Sequence, residues 1–293
     1  MGYLFIGIIL VMKALQGAFN KQTSLDLNCK RHYISYSLYK SSVSAGFGII
    51  LLLITGTTLS FDPQTLAIST LAGISMGFSG ICALAALKSG TISLCTLVSA
   101  AGLLVPSILG IFLFGEAVSP LQGLGVLILF FAAYLLVGCS KDLYGKLKLK
   151  TVFFLLGSLL FNGSTMLAQK MFTYYVPKGS ASVFSMWSFA ISATVFLVIL
   201  SFFGKGKKSE KIKFPPKLYL YGAILAVALF TINQLATMAS ALIPSIILFT
   251  LVNGGGLLII TVIAALLYRE KITLKSGSGI VLGISALLII NFF

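Results

Sequence analysis

The chain alternates between long uninterrupted apolar runs and short polar segments, a pattern that predicts helices crossing a membrane. A bilayer core about 30 Å thick requires about 20 apolar residues of helix. The runs are continuous rather than alternating and far longer than the strands of a membrane barrel, so strands are not expected. The ten predicted spans are Gly2–Asn20, Tyr33–Leu59, Thr65–Leu87, Ile92–Gly115, Pro120–Cys139, Lys150–Phe172, Ala181–Phe203, Leu218–Ala241, Ser245–Tyr268 and Thr273–Phe293.

Composition supports the same class, an all-α integral membrane protein. Hydrophobic residues make up 58% of the 293 positions and charged residues 9%, whereas an ordinary soluble domain is about 25% charged. The mean hydropathy of +1.06 excludes a soluble enzyme, a disordered chain and a disulfide scaffold. Because the loops between the predicted spans are short, any activity must lie among the helices.

Basic residues are distributed unevenly between the predicted loops, and this bias predicts the orientation. Of the 21 Lys and Arg residues, 17 lie in or beside the loops after spans 1, 3, 5, 7 and 9, whereas the other loops hold only Lys178. Positively charged loops stay in the cytoplasm, so we expect both termini outside the plasma membrane. The net charge of +15 is therefore a topology signal and does not indicate nucleic-acid binding.

A nine-residue segment in the first half of one predicted span recurs later in the chain. Thr96–Leu104 reads TLVSAAGLL and Thr250–Leu258 reads TLVNGGGLL, an offset of 154 positions. At the same offset Glu116 falls on Glu270, and each glutamate ends its span just before a short turn. The match predicts an internal repeat.

The first predicted span of each half aligns as well, at an offset of 149, where Asn20-Lys21 falls on Gln169-Lys170. The chain therefore divides into two five-helix halves, 1–145 and 146–293. Because five is an odd number, the second half enters the membrane from the opposite side and the halves are inverted. Inverted repeats are typical of carriers whose binding site lies near the bilayer midplane.

These features resemble the drug/metabolite transporter superfamily, specifically its bacterial ten-helix members with two EamA-like domains. The resemblance covers the whole chain and rests on the inverted halves and on the end of each half, LFGEAVSPLQGLG at Leu113–Gly125 and LLYREKIT at Leu266–Thr273. The first span lacks the tryptophan that many members have there. The resemblance implies that the first, third, fourth, sixth, eighth and ninth helices surround a central cavity, and that the cargo is a metabolite.

Polar side chains inside the predicted spans are the candidate substrate-binding residues, because buried polar groups in a membrane are costly and usually functional. Serine and threonine have an alternative role in helix packing and in bonding to their own helix backbone. The candidates are Lys13, Gln16, Asn20, Thr96, Ser99, Asn162, Thr165, Gln169, Asn233, Gln234, Thr250 and Asn253.

Lys13 is the most specific of these candidates. It lies about eleven residues into the first span, and no carboxylate occurs deep in any span. A substrate carboxylate or phosphate is therefore expected to supply the counter-ion. Alternatively, Lys13 itself exchanges a proton and couples transport to protons. The sequence also leaves open coupling to another ion.

The remaining charged residues near span ends have two readings. Lys21 and Lys170 could guide an anionic solute into opposite mouths, or extend to lipid headgroups as helix-end lysines do. Lys40 is expected to extend along a tyrosine-rich helix face. Glu116 and Glu270 are expected to brace turns.

Glycine, proline and aromatic residues within the predicted spans have expected roles in packing, helix bending and solute contact. Gly254-Gly255-Gly256 removes side chains where a helix or a solute must come close, and Pro106 is expected to kink its span. Trp187, with Phe184 and Phe189 nearby, could form an aromatic wall for a cationic solute, or could pack against other helices.

The sequence therefore predicts a secondary carrier for a small polar metabolite, such as an amino acid or another solute with an anionic group, acting as a monomer or dimer. Enzymatic activity, a cofactor and a metal site are not expected, because the chain holds one histidine and six peripheral acids. The alternatives are a flippase or accessory subunit for a lipid-linked head group, a carrier of cationic solutes, and a membrane scaffold or receptor without transport.

Overall fold

The computed structural model describes residues 1–27, 30–59, 61–87, 98, 101–137, 149–203, 214–259, 262 and 274–292. Within these ranges the chain is helical and contains no strand, which confirms the all-α prediction. The helices are α1 (Gly2–Asp26), α2 (Lys30–Thr55), α3 (Pro63–Leu87), α4 (Leu104–Phe114), α5 (Pro120–Val137), α6 (Leu149–Tyr175), α7 (Ala181–Phe203), α8 (Pro216–Ser240), α9 (Ser245–Thr250, continued by a π-helical turn, Leu251–Gly255) and α10 (Leu274–Phe292).

Six of these helices are long and apolar enough to cross a bilayer, which agrees with a membrane-embedded protein. Their apolar segments are Gly2–Asn20, Arg31–Thr55, Pro63–Ala83, Thr151–Tyr175, Ala181–Phe202 and Pro216–Ser240. Four shorter apolar segments belong to the other helices: Ala101–Phe114, Pro120–Leu135, Ser245–Ile259 and Gly277–Phe292. Large apolar side chains such as Leu53 and Phe112, 77% and 78% exposed, lie on the outer surface as lipid contact requires.

Local sequence explains several helix ends. The Asp62 carboxylate accepts hydrogen bonds from the backbone N–H and the hydroxyl of Thr65, at 2.9 and 3.0 Å, and so caps the start of α3. At the start of α5, Ser119 and Gln122 bond reciprocally to each other's backbone N–H groups, both at 3.1 Å, as in a capping box. Pro106 lies in the first turn of α4, directly after the 3₁₀ turn Ala101–Leu103, so its missing N–H falls where regular α-helical bonding begins.

Helices of segment 1–145 pack mainly against helices of segment 146–293. The pairs are α1 with α8, α2 with α7 and α8, α3 with α6 and α7, α4 with α6, and α5 with α10. Close approach is possible where glycines meet: a Cβ on Gly163 would lie 2.4 Å from the Gly102 carbonyl oxygen. The largest buried cluster also combines both segments, with Ile6 and Ile9 of α1 against Ile243 and Phe249.

Candidate functional site

Lys13 reaches from the middle of α1 to the π-helical turn of α9. Its Nζ donates a hydrogen bond to Oδ1 of Asn253 at 3.0 Å. The aliphatic part of the lysine lies over Gly256, where a Cβ would come within 2.6 Å of the lysine Cδ. The close approach expected at the triple glycine is therefore occupied by a side chain of α1.

The Asn253 amide is held so that its oxygen faces Lys13. Its Nδ2 donates to the Phe249 carbonyl oxygen at 3.0 Å and contacts the Met166 sulfur at 3.4 Å. A π-helical turn disturbs the regular backbone ladder, and the Asn253 side chain of that turn bonds back to the Phe249 carbonyl on the preceding α-helical turn. Among the described residues, Lys13 has a neutral partner and no carboxylate partner.

Two further amides are satisfied by side chains on neighbouring helices. Gln169 of α6 donates to Oδ1 of Asn233 on α8, and Nδ2 of Asn233 donates to the Ser185 hydroxyl of α7 at 3.2 Å. Gln169 and Asn233 are each 5% exposed. These two candidates therefore face one another across a helix contact and are closed to solvent in this conformation.

The other candidates are more scattered. Gln16 and Asn162 are half-buried and Asn20 is exposed. Thr165 bonds to the Phe161 carbonyl of its own helix at 3.1 Å, which is the packing alternative for a threonine.

Thr250 is fully buried, and its hydroxyl has no hydrogen-bond partner among the described residues. The candidates Thr96 and Ser99 lie outside the described residues, as does Glu270.

A cavity of about 430 Å³ opens at one end of the bundle. At this end, named here the Ser245 end, α6 and α8 finish while α7 and α9 begin. Gln234 contributes to the cavity wall and donates to the Ser182 hydroxyl at 2.7 Å. The lining carries no charged side chain; it consists of Phe5, Phe172, Thr173, Val176, Pro177, Gly179, Ser180, Ala181, Ser182, Gln234, Met238, Ala241 and Leu242.

The cavity and Lys13 lie at different depths. Phe5 of the cavity wall is eight residues before Lys13 on α1, which corresponds to about 12 Å along a helix. The apolar cluster of Ile9 and Phe249 with their neighbours lies along this stretch. The structure thus brings Gln234, but neither Lys13 nor Asn253, to the cavity, and the polar groups do not share one chamber in this conformation.

Lys170 lies against an acid rather than at an open mouth. Its Nζ is 2.7 Å from Glu116 Oε1, and it also donates to the Ser240 carbonyl oxygen at 3.0 Å. The side chains of Lys170 and Glu116 are 13% and 10% exposed. The sequence alone does not predict this pair, because Glu116 and Lys170 lie 54 positions apart along the chain.

Glu116 also accepts hydrogen bonds from Ser245 at the start of α9. Its carboxylate oxygens receive the backbone N–H at 2.9 and 3.1 Å and the hydroxyl at 3.2 Å. The first N–H groups of a helix have no partner within the helix, and a carboxylate is well suited to them. This geometry agrees with the bracing role expected for Glu116.

The aromatic candidates pack on other rings. Phe184 is fully buried and stacks on Phe172 at 4.6 Å between ring centroids, and Phe189 lies 6.1 Å from Phe230. Trp187 meets Phe61 edge-on at 5.6 Å. Their arrangement favours the packing alternative over an aromatic wall. Lys40 extends over the ring of Tyr36, 5.2 Å from its centroid, as expected for a lysine on a tyrosine-rich face.

No protein-family model matches the chain, and no curated protein matches it. Twenty-nine chains among the solved structures are similar to it. One, described as "Crystal structure of protein", covers 99% of this chain and 96% of its own length with a TM-score of 0.75 and 13% sequence identity. At that identity the likeness shows a shared fold alone. Fold and site together define a helical membrane protein with a lysine and several amides buried between its helices.

Proposed function

We propose that the protein is a secondary transporter of the drug/metabolite transporter type, with ten spans arranged as two inverted five-helix halves. It moves a small polar solute with an anionic group across the plasma membrane by alternating access. The pairwise packing of segment 1–145 against segment 146–293 supports the two-half arrangement. Four shorter apolar helical segments beside the six long ones support the larger span number.

The pairing of Lys13 with a neutral amide is the observation that carries the proposal. A cation held among helices is costly unless it has a partner of opposite charge. Asn253 supplies one dipole but no charge. An incoming carboxylate or phosphate forms a stronger, charge-assisted hydrogen bond than an amide oxygen does, so the substrate displaces Asn253 from the ammonium group.

The Gln169–Asn233 bond supports a second part of the proposal, a change of conformation. Both amides are on helices expected to border the cavity, yet they are closed against each other here. A carrier that alternates must have conformations in which its site is shut, and inverted halves provide two such conformations of similar energy. We assign the present arrangement to a state in which the Lys13 site is closed at the Ser245 end.

The test is a thermal-shift screen of the purified protein against metabolites, followed by counterflow of the hits in liposomes. The Lys13→Met variant removes the charge while keeping much of the side-chain volume. We expect the rate of transport to fall by about a hundredfold or more. One charge-assisted contact to the solute is worth about 1.5–3 kcal/mol, and the anionic group of the solute is then left without a partner. Exposed Lys178, changed to methionine in the same way, is the control and keeps normal transport.

Normal counterflow by Lys13→Met would overturn the assigned site. Absence of counterflow for every hit would favour a scaffold or receptor. Stabilisation by cationic solutes, or by lipid-linked head groups, would favour the corresponding alternative.

A further inference from the structure

The end of α4 places an acidic side chain at the boundary between the two halves. Gly115 adopts a left-handed conformation with φ of 65°, and the backbone N–H of Glu116 donates to the Gly110 carbonyl at 3.2 Å. The turn folds the Glu116 carboxylate back over α4, where a Cβ on Gly110 would lie 2.6 Å from Oε2. Glycine at these two positions thus gives the carboxylate its direction and its space.

The partners of this carboxylate all come from segment 146–293. Lys170 belongs to α6, and its ammonium group also holds the carbonyl of Ser240, the last residue of α8. Ser245 is the first residue of α9. Glu116 of the first half therefore binds α6 directly through Lys170. It also binds the connection between α8 and α9, through Ser245 itself and through the Lys170 bond to Ser240.

Burial makes this link stronger and more dependent on its geometry than a surface ion pair. Lysine and glutamate are rarely this shielded unless they are paired. A charge pair in a region of low dielectric is stronger than one in water, and separation of the partners requires that both become hydrated. Apolar contacts between the halves, such as Ile6 and Ile9 against Phe249, can slide without such a cost.

The link also lies between the cavity and the buried amides. Thr173 of the cavity wall is 3.1 Å from the Ser240 hydroxyl. Gln169, which bonds to Asn233, directly precedes Lys170. Any movement that widens the cavity toward Gln169 must move the residues that Glu116 holds.

We propose that Glu116 and Lys170 form an ionic latch between the two halves, which closes the passage from the cavity at the Ser245 end toward Gln169 and must part for that passage to open. The proposal rests on the alternating-access function for its role in transport. The latch itself is testable without any substrate.

The experiment measures how readily a buried cysteine near the latch reacts with a small water-soluble methanethiosulfonate reagent. The protein is reconstituted in nanodiscs after its native cysteines are replaced by serine or alanine. Ala239, fully buried beside Ser240, carries the reporter cysteine; Ala226, also fully buried on α8 but distant from the Ser245 end, carries the matched reporter.

Glu116→Gln keeps an oxygen for the Ser245 N–H but removes the ion pair, and Lys170→Met removes the other partner. We expect either variant to raise the reaction rate at position 239 about tenfold or more, because a lost charge-assisted bond shifts a two-state equilibrium by at least that factor. The rate at position 226 stays unchanged. Lys170→Arg keeps the charge and restores the slow rate at position 239.

Three results would overturn the latch: an unchanged rate at position 239, an equal increase at positions 239 and 226, or a Lys170→Arg variant as reactive as Lys170→Met. The equal increase would mean general loosening of the fold. A clear latch result without transport of any solute would leave the latch and reject the carrier. Transport that depends on Lys13, with no change in the reaction rate at position 239, would support the carrier and reject the latch.

Discussion

Two lysines that lie between helices of this bundle have opposite surroundings. Lys13 donates to the neutral amide of Asn253, whereas Lys170 is 2.7 Å from the carboxylate of Glu116. The charge of Lys170 is balanced within the protein, and its removal leaves Glu116 without a counter-ion. Among the residues that the structure describes Lys13 has no carboxylate partner, and in the proposed function a solute balances its charge. Under the two proposals, the comparison separates a lysine that binds solute from a lysine that joins the two halves.

The largest effect on stability is expected from Lys170→Met. It leaves Glu116 buried without a counter-ion, which costs about 3 kcal/mol, at the low end for a broken buried pair because both side chains keep some exposure. Lys13→Met leaves only an amide oxygen unpaired and costs about 1 kcal/mol. Thermal unfolding of both variants in detergent measures the difference. Equal loss of stability would break the distinction between the two lysines.

A second, smaller loss of stability is expected from Gly110→Ala. The new Cβ would lie 2.6 Å from Glu116 Oε2, so the carboxylate must withdraw from Ser245 and Lys170, at a cost of about 1–3 kcal/mol. Gly123→Ala on α5 is the control, because a Cβ there meets nothing within 4 Å; alanine at that site is expected to be neutral or slightly stabilising. A Gly110→Ala variant as stable as the control would show that the carboxylate has no fixed position.

The amino-acid sequence predicted where the helices lie and which side chains share a helix face, but not which side chains bond to one another across helices. Long apolar runs predicted the helices, although α1 continues to Asp26 beyond the predicted end at Asn20, because a helix can extend past the bilayer with polar residues. Lys13 and Asn253 were both candidates, but periodicity within one helix does not fix its register against another. The π-helical turn that aims Asn253 at Lys13 has no sequence signal beyond its glycines.

The sequence also did not predict the serines that accept hydrogen bonds from the buried amides. Ser182 and Ser185 complete the bonds of Gln234 and Asn233, yet serines in membrane helices usually bond to their own backbone, as Ser188 does here. Nothing in the sequence distinguishes the two kinds of serine before the helices are packed. The inverted repeat and the span number remain predictions from the sequence.

Asn253→Asp is the substitution that makes the two lysines alike. It gives Lys13 a carboxylate at the position of Oδ1, so a substrate anion must compete with a fixed charge. We expect initial rates of counterflow at low solute to fall about tenfold, equivalent to about 1.4 kcal/mol. Asn291→Asp, at an amide outside the candidate site whose oxygen accepts the Tyr3 hydroxyl, controls for the new charge and is expected to keep the normal rate. Undiminished affinity in Asn253→Asp would mean that Lys13 does not meet the solute.

The smallest effect is expected from Gly256→Ala, and it tests whether the position of Lys13, rather than its charge alone, matters. A Cβ at this site would lie 2.6 Å from the lysine Cδ, the flexible part of a long side chain, which can shift at little cost in stability. The ammonium group then moves away from Asn253, and we expect the apparent KM to rise a few-fold with little change in maximal rate, because contact with the bound solute is weakened throughout the cycle. Gly255→Ala is the matched control, since its Cβ would meet Leu10 at the milder distance of 3.1 Å and would leave Lys13 in place. A drop in maximal rate in both variants alike would instead indicate that the glycines serve the movement of α9, and the role of Lys13 would then depend on its charge alone.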